Sequence, residues 1–267
     1  MSVPTYSVVI PWANRPELGD TLVRNRPIFE RHAAETVIVN AGGDHNVLLD
    51  LVSRAAVPNV TTVDLSAAAF NRALCCNIGA LVCRGTHLFL LDADIVVVSD
   101  ILAEAAALIQ NGGRFVAVSK IVEAEPPVRR PGAGPDMSCI AEMIEERTLI
   151  TTDGRRAVLR KRKVGASRVG DGLVLVRKPD LMNVGGLNSS LTGWGYEDTD
   201  FQLRLQFLLG LERVDAGEVI HLTHPLTQRS LESWNRNMAQ CFSNYAGGHY
   251  LGTLEQDALA WGYAVAT

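Results

Sequence analysis

Two carboxylates one residue apart, Asp92-Ala93-Asp94, follow the apolar run Leu88 to Leu91. In an extended chain residues i and i+2 point the same way. At a strand's end they could share one hard cation such as Mn2+ or Mg2+, which prefers oxygen ligands and bridges phosphates. A polar strand end with a helix cap would give the same pair, so its setting decides. A second group is Gly193-Trp194-Gly195-Tyr196-Glu197-Asp198-Thr199-Asp200. Its acids fall where an amphipathic helix should start, and a helix N-terminus favours negative charge. Capping does not account for the glycines on either side of Trp194. They permit unusual turns and close backbone approach, and the indole offers a flat face on which a sugar ring could stack. A third group is His221-Leu222-Thr223-His224-Pro225. A single histidine is usually a structural residue, but beside a two-carboxylate site an imidazole is a plausible further ligand for Mn2+.

These groups need a frame, and the pattern along the chain supplies one. Tyr6 to Ile10, Thr36 to Val39, Val60 to Leu65 and Leu88 to Leu91 are short apolar or β-branched runs that read as strands. Between them Leu18 to His32, Asn46 to Ala55 and Asn71 to Cys83 carry helical spacing, with Gly85 as a stop. Asp100 to Gln110 reads as a helix capped by Ser99 or Asp100 and ended by Gly112-Gly113, and Phe115 to Ser119 as a strand. Strands alternating with helices imply a mainly parallel, doubly wound sheet, with ligands beyond the carboxyl ends of its strands. Later, Leu173 to Val176 is a strand, Lys178 to Asn183 a short helix, Glu197 to Leu209 a helix, and Arg213 to Asp215 and Glu218 to Leu222 short strands.

Composition narrows the function classes. With 267 residues, 47% hydrophobic and 20% charged, the chain can bury the core of one α/β domain. A net charge of −4 gives no reason to expect a nucleic-acid partner. No apolar run is long enough for a membrane span, and the N-terminal residues lack the features of a signal peptide, so the expectation is cytoplasmic. The five cysteines are too irregularly spaced for zinc and fit small buried thiols. Residues 123–167 break the pattern with Pro126-Pro127, Pro131, Gly132, Gly134, Pro135 and the basic run Arg160-Lys161-Arg162-Lys163. They read as an insertion beside the active site, with a helix over Met137 to Arg147. The basic run reads either as solvated surface or as a contact for an anionic acceptor or phosphate.

Tyr6-Ser7-Val8-Val9-Ile10-Pro11, Phe70-Asn71-Arg72 with Asn77-Ile78-Gly79, and Asp92-Ala93-Asp94 resemble the nucleotide-binding half of GT-A glycosyltransferases of the family 2 kind. Gly172 to Leu205, centred on Gly193 to Asp198, resembles the C-terminal module shared by β-1,4-galactosyltransferases, bacterial chondroitin-type polymerases and polypeptide N-acetylgalactosaminyltransferases. The resemblance implies an α/β fold of GT-A type: a Rossmann-like nucleotide-binding sheet flanked by helices, with an acceptor-side insertion. It implies a single domain with a nucleotide-sugar half (5–120), the insertion (121–168), a catalytic half (169–225) and a C-terminal cover (226–267). It also implies a nucleotide-sugar donor, a small-molecule, glycan or peptide acceptor, and Mn2+ or Mg2+. Pro11, Trp12, Ala13 and Arg15 would line the base and ribose pocket. Arg72 and Asn77 would belong to the nucleotide site, Arg72 at the diphosphate. Asp92, with Ala93, would approach the ribose, and Asp94 would bind the metal. His221 is similar to the family's late metal-binding histidine, with His224 as the rival. Glu197, with Trp194 and Gly195, would hold the sugar, and Asp198 would be the general base.

The sequence departs from the family in two places. Where an acidic pair usually follows the second strand to bind uracil, this chain has Val39-Asn40-Ala41-Gly42-Gly43-Asp44, leaving Asn40 or Asp44 to serve. Trp12 stands where a small hydroxyl residue is common. The acid at 198, where the resembling retaining enzymes carry Asn, favours inversion at the anomeric carbon. Two rival classes are a sugar nucleotidyltransferase, which would want a Gly-rich basic loop after the first strand, and a non-catalytic sugar-nucleotide binder with a relic site. Retention of Asp92, Asp94, Glu197, Asp198 and His221 together argues against the second.

Overall fold

The computed structural model describes residues 5–65, 67–110, 112–125, 139–164, 167–223 and 230–265, the Val164 side chain aside. In chain order its elements are β1 (Tyr6–Trp12), α1 (Leu18–Arg31), β2 (Glu35–Ala41), α2 (His45–Ala55), β3 (Val60–Leu65), α3 (Arg72–Val82), β4 (His87–Leu90), β5 (Ile95–Val97) and α4 (Ile101–Ile109). There follow β6 (Arg114–Glu123), β7 (Glu142–Ile150), β8 (Arg156–Val164), β9 (Arg168–Arg177), α5 (Lys178–Asn183), α6 (Glu197–Leu209), β10 (Glu212–His221), α7 (Leu231–Ala246) and α8 (Leu254–Trp261). Side-chain caps set several helix starts. Asp44 accepts from Asn46 and Val47 N–H, Asn71 from Leu74 N–H, and Asp100 from Ala103 N–H.

Eight strands form one sheet in the order β3-β2-β1-β4-β9-β6-β10-β5. The first four pair in parallel, as expected. The rest is mixed: β9 runs antiparallel to both β4 and β6, and β5 antiparallel to β10. Four of the seven strand pairings in this sheet are parallel, β6 with β10 among them, and the departures from the expected parallel sheet come from β9 and β5. β1 and β2 are buried along their whole length, which is why they read as continuous apolar runs. One core cluster, with Trp12, Leu22, Phe29 and Phe89, includes residues of α1, α2 and α4. A second, with Val9, Ile78, Phe115 and Phe201, includes residues of α3, α5, α6 and α8. Among the described residues no helix is long and apolar enough to cross a membrane. Cys75, Cys76, Cys83 and Cys241 are buried free thiols, and Cys139 is exposed.

Residues 142–147 are strand, where a helix was expected. β7 and β8 form an antiparallel hairpin with register from Glu142↔Val164 to Ile150↔Arg156. Glu, Met and Arg are good helix formers, but pairing with β8 overrides that preference. Glu142 meets Arg162 and Glu146 meets Arg160 across the ladder. Met137 lies outside the described residues. Arg213 to Asp215 and Glu218 to Leu222, expected as two short strands, belong to the single strand β10. β5 was not foreseen; three residues give too short a pattern to read.

Candidate active site

The carboxyl end of β4 is fixed from below by α1. Thr21 Oγ1 donates to the Ala93 carbonyl at 2.9 Å, and Asn25 Nδ2 to the Ile95 carbonyl at 2.8 Å, while Asn25 Oδ1 accepts from Val97 N–H at 2.7 Å. Both side chains are fully buried. β4 itself ends at Leu90, so Asp92 and Asp94 sit in the turn beyond it rather than on one strand face. They find different neighbours. Asp92 Oδ1 accepts from Arg72 Nε at 2.7 Å, and a second Arg72 nitrogen donates to the Gly172 carbonyl at 2.5 Å. Asp94 Oδ2 lies 3.7 Å from His221 Nε2.

His221 closes β10, and its backbone pairs with Glu123 at the end of β6. The Glu123 carboxylate lies 2.5 Å from His221 Nδ1. With Nδ1 turned to Glu123, Nε2 is the ring nitrogen on the Asp94 side. Among the described residues no group of three or more His, Cys, Asp and Glu side chains converges to hold a metal. An oxygen–imidazole pair nonetheless suits a small divalent cation, which is commonly held by one or two protein ligands with substrate phosphates completing the set.

Across the cavity stands the N-terminus of α6. The turn before it has φ of +80° at Gly193, +94° at Gly195 and +74° at Tyr196. A Cβ on Gly195 would come within 2.5 Å of Trp234 Cδ1, so only glycine fits there. Tyr196 holds the left-handed conformation at a cost of about 1–2 kcal/mol. Its buried ring packs edge-on against Trp234, with centroids 5.3 Å apart. α7 clamps the same turn: Asn237 Nδ2 donates to the Gly195 carbonyl at 2.8 Å, and Ser233 Oγ to the Trp194 carbonyl at 3.0 Å. This strained turn, rather than a side-chain cap, presents Glu197 and Asp198. Glu197 Oε2 is shut off from solvent without a hydrogen-bond partner. Burial first, then the adjacent Asp198 charge, pushes the Glu197 carboxyl up to about 7. Asp198 Oδ1 accepts from Thr199 N–H at 2.6 Å, and its Oδ2 stands by Gly172.

The two halves line one cavity of about 650 Å³, the size of a substrate pocket. Pro11, Ala13, Arg15 and Arg72 contribute to its wall, as do Asp92, Ala93, Asp94 and His221. Trp194, Gly195, Glu197 and Asp198 complete it from the other side, with Trp194 38% exposed. Four candidates are placed elsewhere. Trp12 is fully buried in the core, its indole N–H donating to the Arg15 carbonyl. Asn40 spends its amide on Gly43 and Asp64. Asp44 is the exposed cap of α2. Asn77 is buried, tying α3 to Leu187 and to Asp257 on α8. His224 lies outside the described residues. Asp171, Glu123 and Trp234 were missed; no local motif marks them, since each acts through a neighbour distant in sequence. Burial raises the Asp171 carboxyl, opposed by Arg213 at 2.9 Å.

Residues 157–225 match the family model described as the N-terminal domain of galactosyltransferase. No curated protein matches the sequence. Among solved structures, residues 1–349 of S. aureus TarS align over 88% of this chain and 64% of that fragment at 16% identity, with a TM-score of 0.51. GalNAc-T7 with UDP, GalNAc and Mn2+ aligns over 92% and 50% at 16% identity, with a TM-score of 0.61. The mannosyltransferase PcManGT from Pyrobaculum calidifontis, in complex with GDP-Man and Mn2+, aligns over 100% and 77% at 14% identity, with a TM-score of 0.54. The chain thus spans less than two thirds of TarS and half of GalNAc-T7. With its mixed sheet and helical flanks the chain has the GT-A fold of these glycosyltransferases, and residues 157–225 resemble the N-terminal domain of galactosyltransferase.

Proposed function

We propose that this protein is a metal-dependent, inverting glycosyltransferase that takes a sugar from a nucleotide donor, a UDP-sugar, to an acceptor hydroxyl. The observation that carries this reading is the facing of Asp94 and His221 against Glu197 and Asp198 across one cavity. Structures of similar fold bind UDP or GDP-Man together with Mn2+. A divalent cation held by Asp94 and His221 would offset the charge of the diphosphate leaving group.

The chain's own residues do the rest. Pro11, Ala13 and Arg15, on β1 and the loop after it, receive the nucleotide. Asp92, oriented by Arg72, meets its ribose. The exposed indole of Trp194 supplies a stacking face, and the unpartnered Glu197 Oε2 accepts from a sugar hydroxyl, which offsets its desolvation. Asp198, at a helix N-terminus that favours its ionised form, takes the acceptor's proton as the nucleophile attacks the anomeric carbon. One base on one face, with the leaving group on the other, gives single displacement and inversion.

The test is thermal stability against a panel of UDP- and GDP-sugars with and without Mn2+. A donor at 100 times its dissociation constant stabilises by about 2.7 kcal/mol. The proposal expects that gain for a UDP-sugar only when Mn2+ is present, and its loss in Asp94→Ala. Equal stabilisation in excess chelator would overturn the metal dependence; no response to any nucleotide sugar would overturn the function.

A further inference from the structure

The hairpin divides the four basic residues of β8 into two pairs. Strand alternation sends Arg160 and Arg162 one way and Lys161 and Lys163 the other. Arg162 Nε meets Glu142 at 2.5 Å, and Arg160 Nε meets Glu146 at 3.2 Å, so both guanidinium groups are neutralised within the hairpin. Across the ladder Lys163 faces Met143, and Lys161 faces Glu145, whose carboxylate lies 2.5 Å from Arg147. Among the described residues neither lysine has an ion pair, and both line the cavity, as does the Glu142-paired Arg162. Of the other cationic groups of the wall, Arg72 is paired with Asp92, Arg162 with Glu142 and Arg168 with Glu123.

The hairpin is anchored to the helix that carries the proposed base. Val158 N–H donates to Gln206 Oε1 at 2.8 Å, and Gln206 Nε2 donates back to the Val158 carbonyl at 3.2 Å. From Val158, Lys161 and Lys163 lie roughly 10 and 16 Å along the strand. From Gln206, Asp198 lies roughly 12 Å back along α6. Both runs end on the same cavity, which Lys161, Lys163 and Asp198 all line.

We infer that Lys161 and Lys163 form an anion subsite for the acceptor, which carries a phosphate or carboxylate beside the hydroxyl that is glycosylated. The inference rests on the reading of the cavity given above. Two ammonium groups roughly 7 Å apart on one strand face can share one such group through charge-assisted hydrogen bonds. The donor nucleotide has its own proposed partners in Arg15, Arg72 and the Asp94–His221 pair.

The test uses the full chain, with glucose, glucose 6-phosphate and glucuronate as probes in calorimetric titrations, with and without UDP and Mn2+. Glucose 6-phosphate or glucuronate should bind at least tenfold more tightly than glucose. Lys161→Ala/Lys163→Ala should abolish that preference and leave the UDP dissociation constant, measured with Mn2+, within twofold. Lys161→Arg/Lys163→Arg should keep the preference. Three results would overturn the subsite: no preference for either anionic probe, a preference that survives the double alanine variant, or a tenfold loss of UDP affinity in that variant, which would assign the lysines to the donor. Failure of the wild-type chain to bind UDP with Mn2+ would instead count against the glycosyltransferase reading, because the probe preference is also read without nucleotide.

Discussion

At the scale of single residues, Glu197 carries the clearest electrostatic signature. Burial raises the Glu197 carboxyl from 4.5 to about 7, so the folded chain holds that proton more tightly than the unfolded chain does. Its contribution to stability is therefore fully present below about 4.5 and is lost as pH rises through about 7. Glu197→Gln removes that loss. The variant, free of metal and nucleotide, should gain stability over wild type progressively between those pH values in denaturant titrations; a difference flat with pH would contradict the assignment. Glu123 holds His221 through Nδ1, and such supporting carboxylates are typically worth 10–100-fold in metal affinity. Glu123→Gln should weaken Mn2+ binding by about that factor in spectroscopic titrations with UDP present; unchanged affinity would show that Glu123 does not position the ligand. Asp94, Asp198 and His221 could be singled out in the sequence by type and spacing, and all three line the cavity. Glu123 could not, since it meets His221 only through the pairing of β6 with β10.

At the scale of elements, α6 ties the catalytic half together. Arg204 and Asp200 form a buried pair at 2.8 Å, with side chains 1% and 2% exposed. Arg204 also donates to the Val184 and Gly186 carbonyls, and Tyr245 on α7 donates to Asp200 at 2.6 Å. Removing one member of such a pair strands a buried charge, at about 3–5 kcal/mol. Arg204→Met should therefore lower Tm by roughly 6–20 °C in calorimetry. A fall of less than about 2 °C would mean that the pair does not hold α6 in place. The bounds of α5 and α6 were readable from apolar spacing and from Gly210 after the last turn. The β7–β8 hairpin was not, because Glu142 to Arg147 favour helix locally and become strand through ion pairs with residues 14 and 20 positions later.

At the scale of the whole molecule, the first half of the sheet could be read strand by strand, since a helix separates each of β1 to β4 from the next. The second half could not. β9 lies between β4 and β6, and β10 between β6 and β5, in an order that no periodicity encodes. That interleaving brings the turn after β4, the end of β10 and the start of α6 to one cavity. Asn77 shows the limit of reading by motif: its position suggested a nucleotide contact, but its amide joins α3 to Leu187 and α8. The central claim is that this cavity transfers a sugar with Asp198 as base, and Asp198→Asn tests it most directly by keeping shape while removing basicity. The measurement is Mn2+-dependent release of UDP from the UDP-sugar that stabilises the wild-type protein, alongside the affinity for UDP and Mn2+. Loss of a positioned base predicts a fall of about 10²–10⁴ in turnover with nucleotide and metal affinity unchanged. Near-normal turnover in Asp198→Asn would contradict the account.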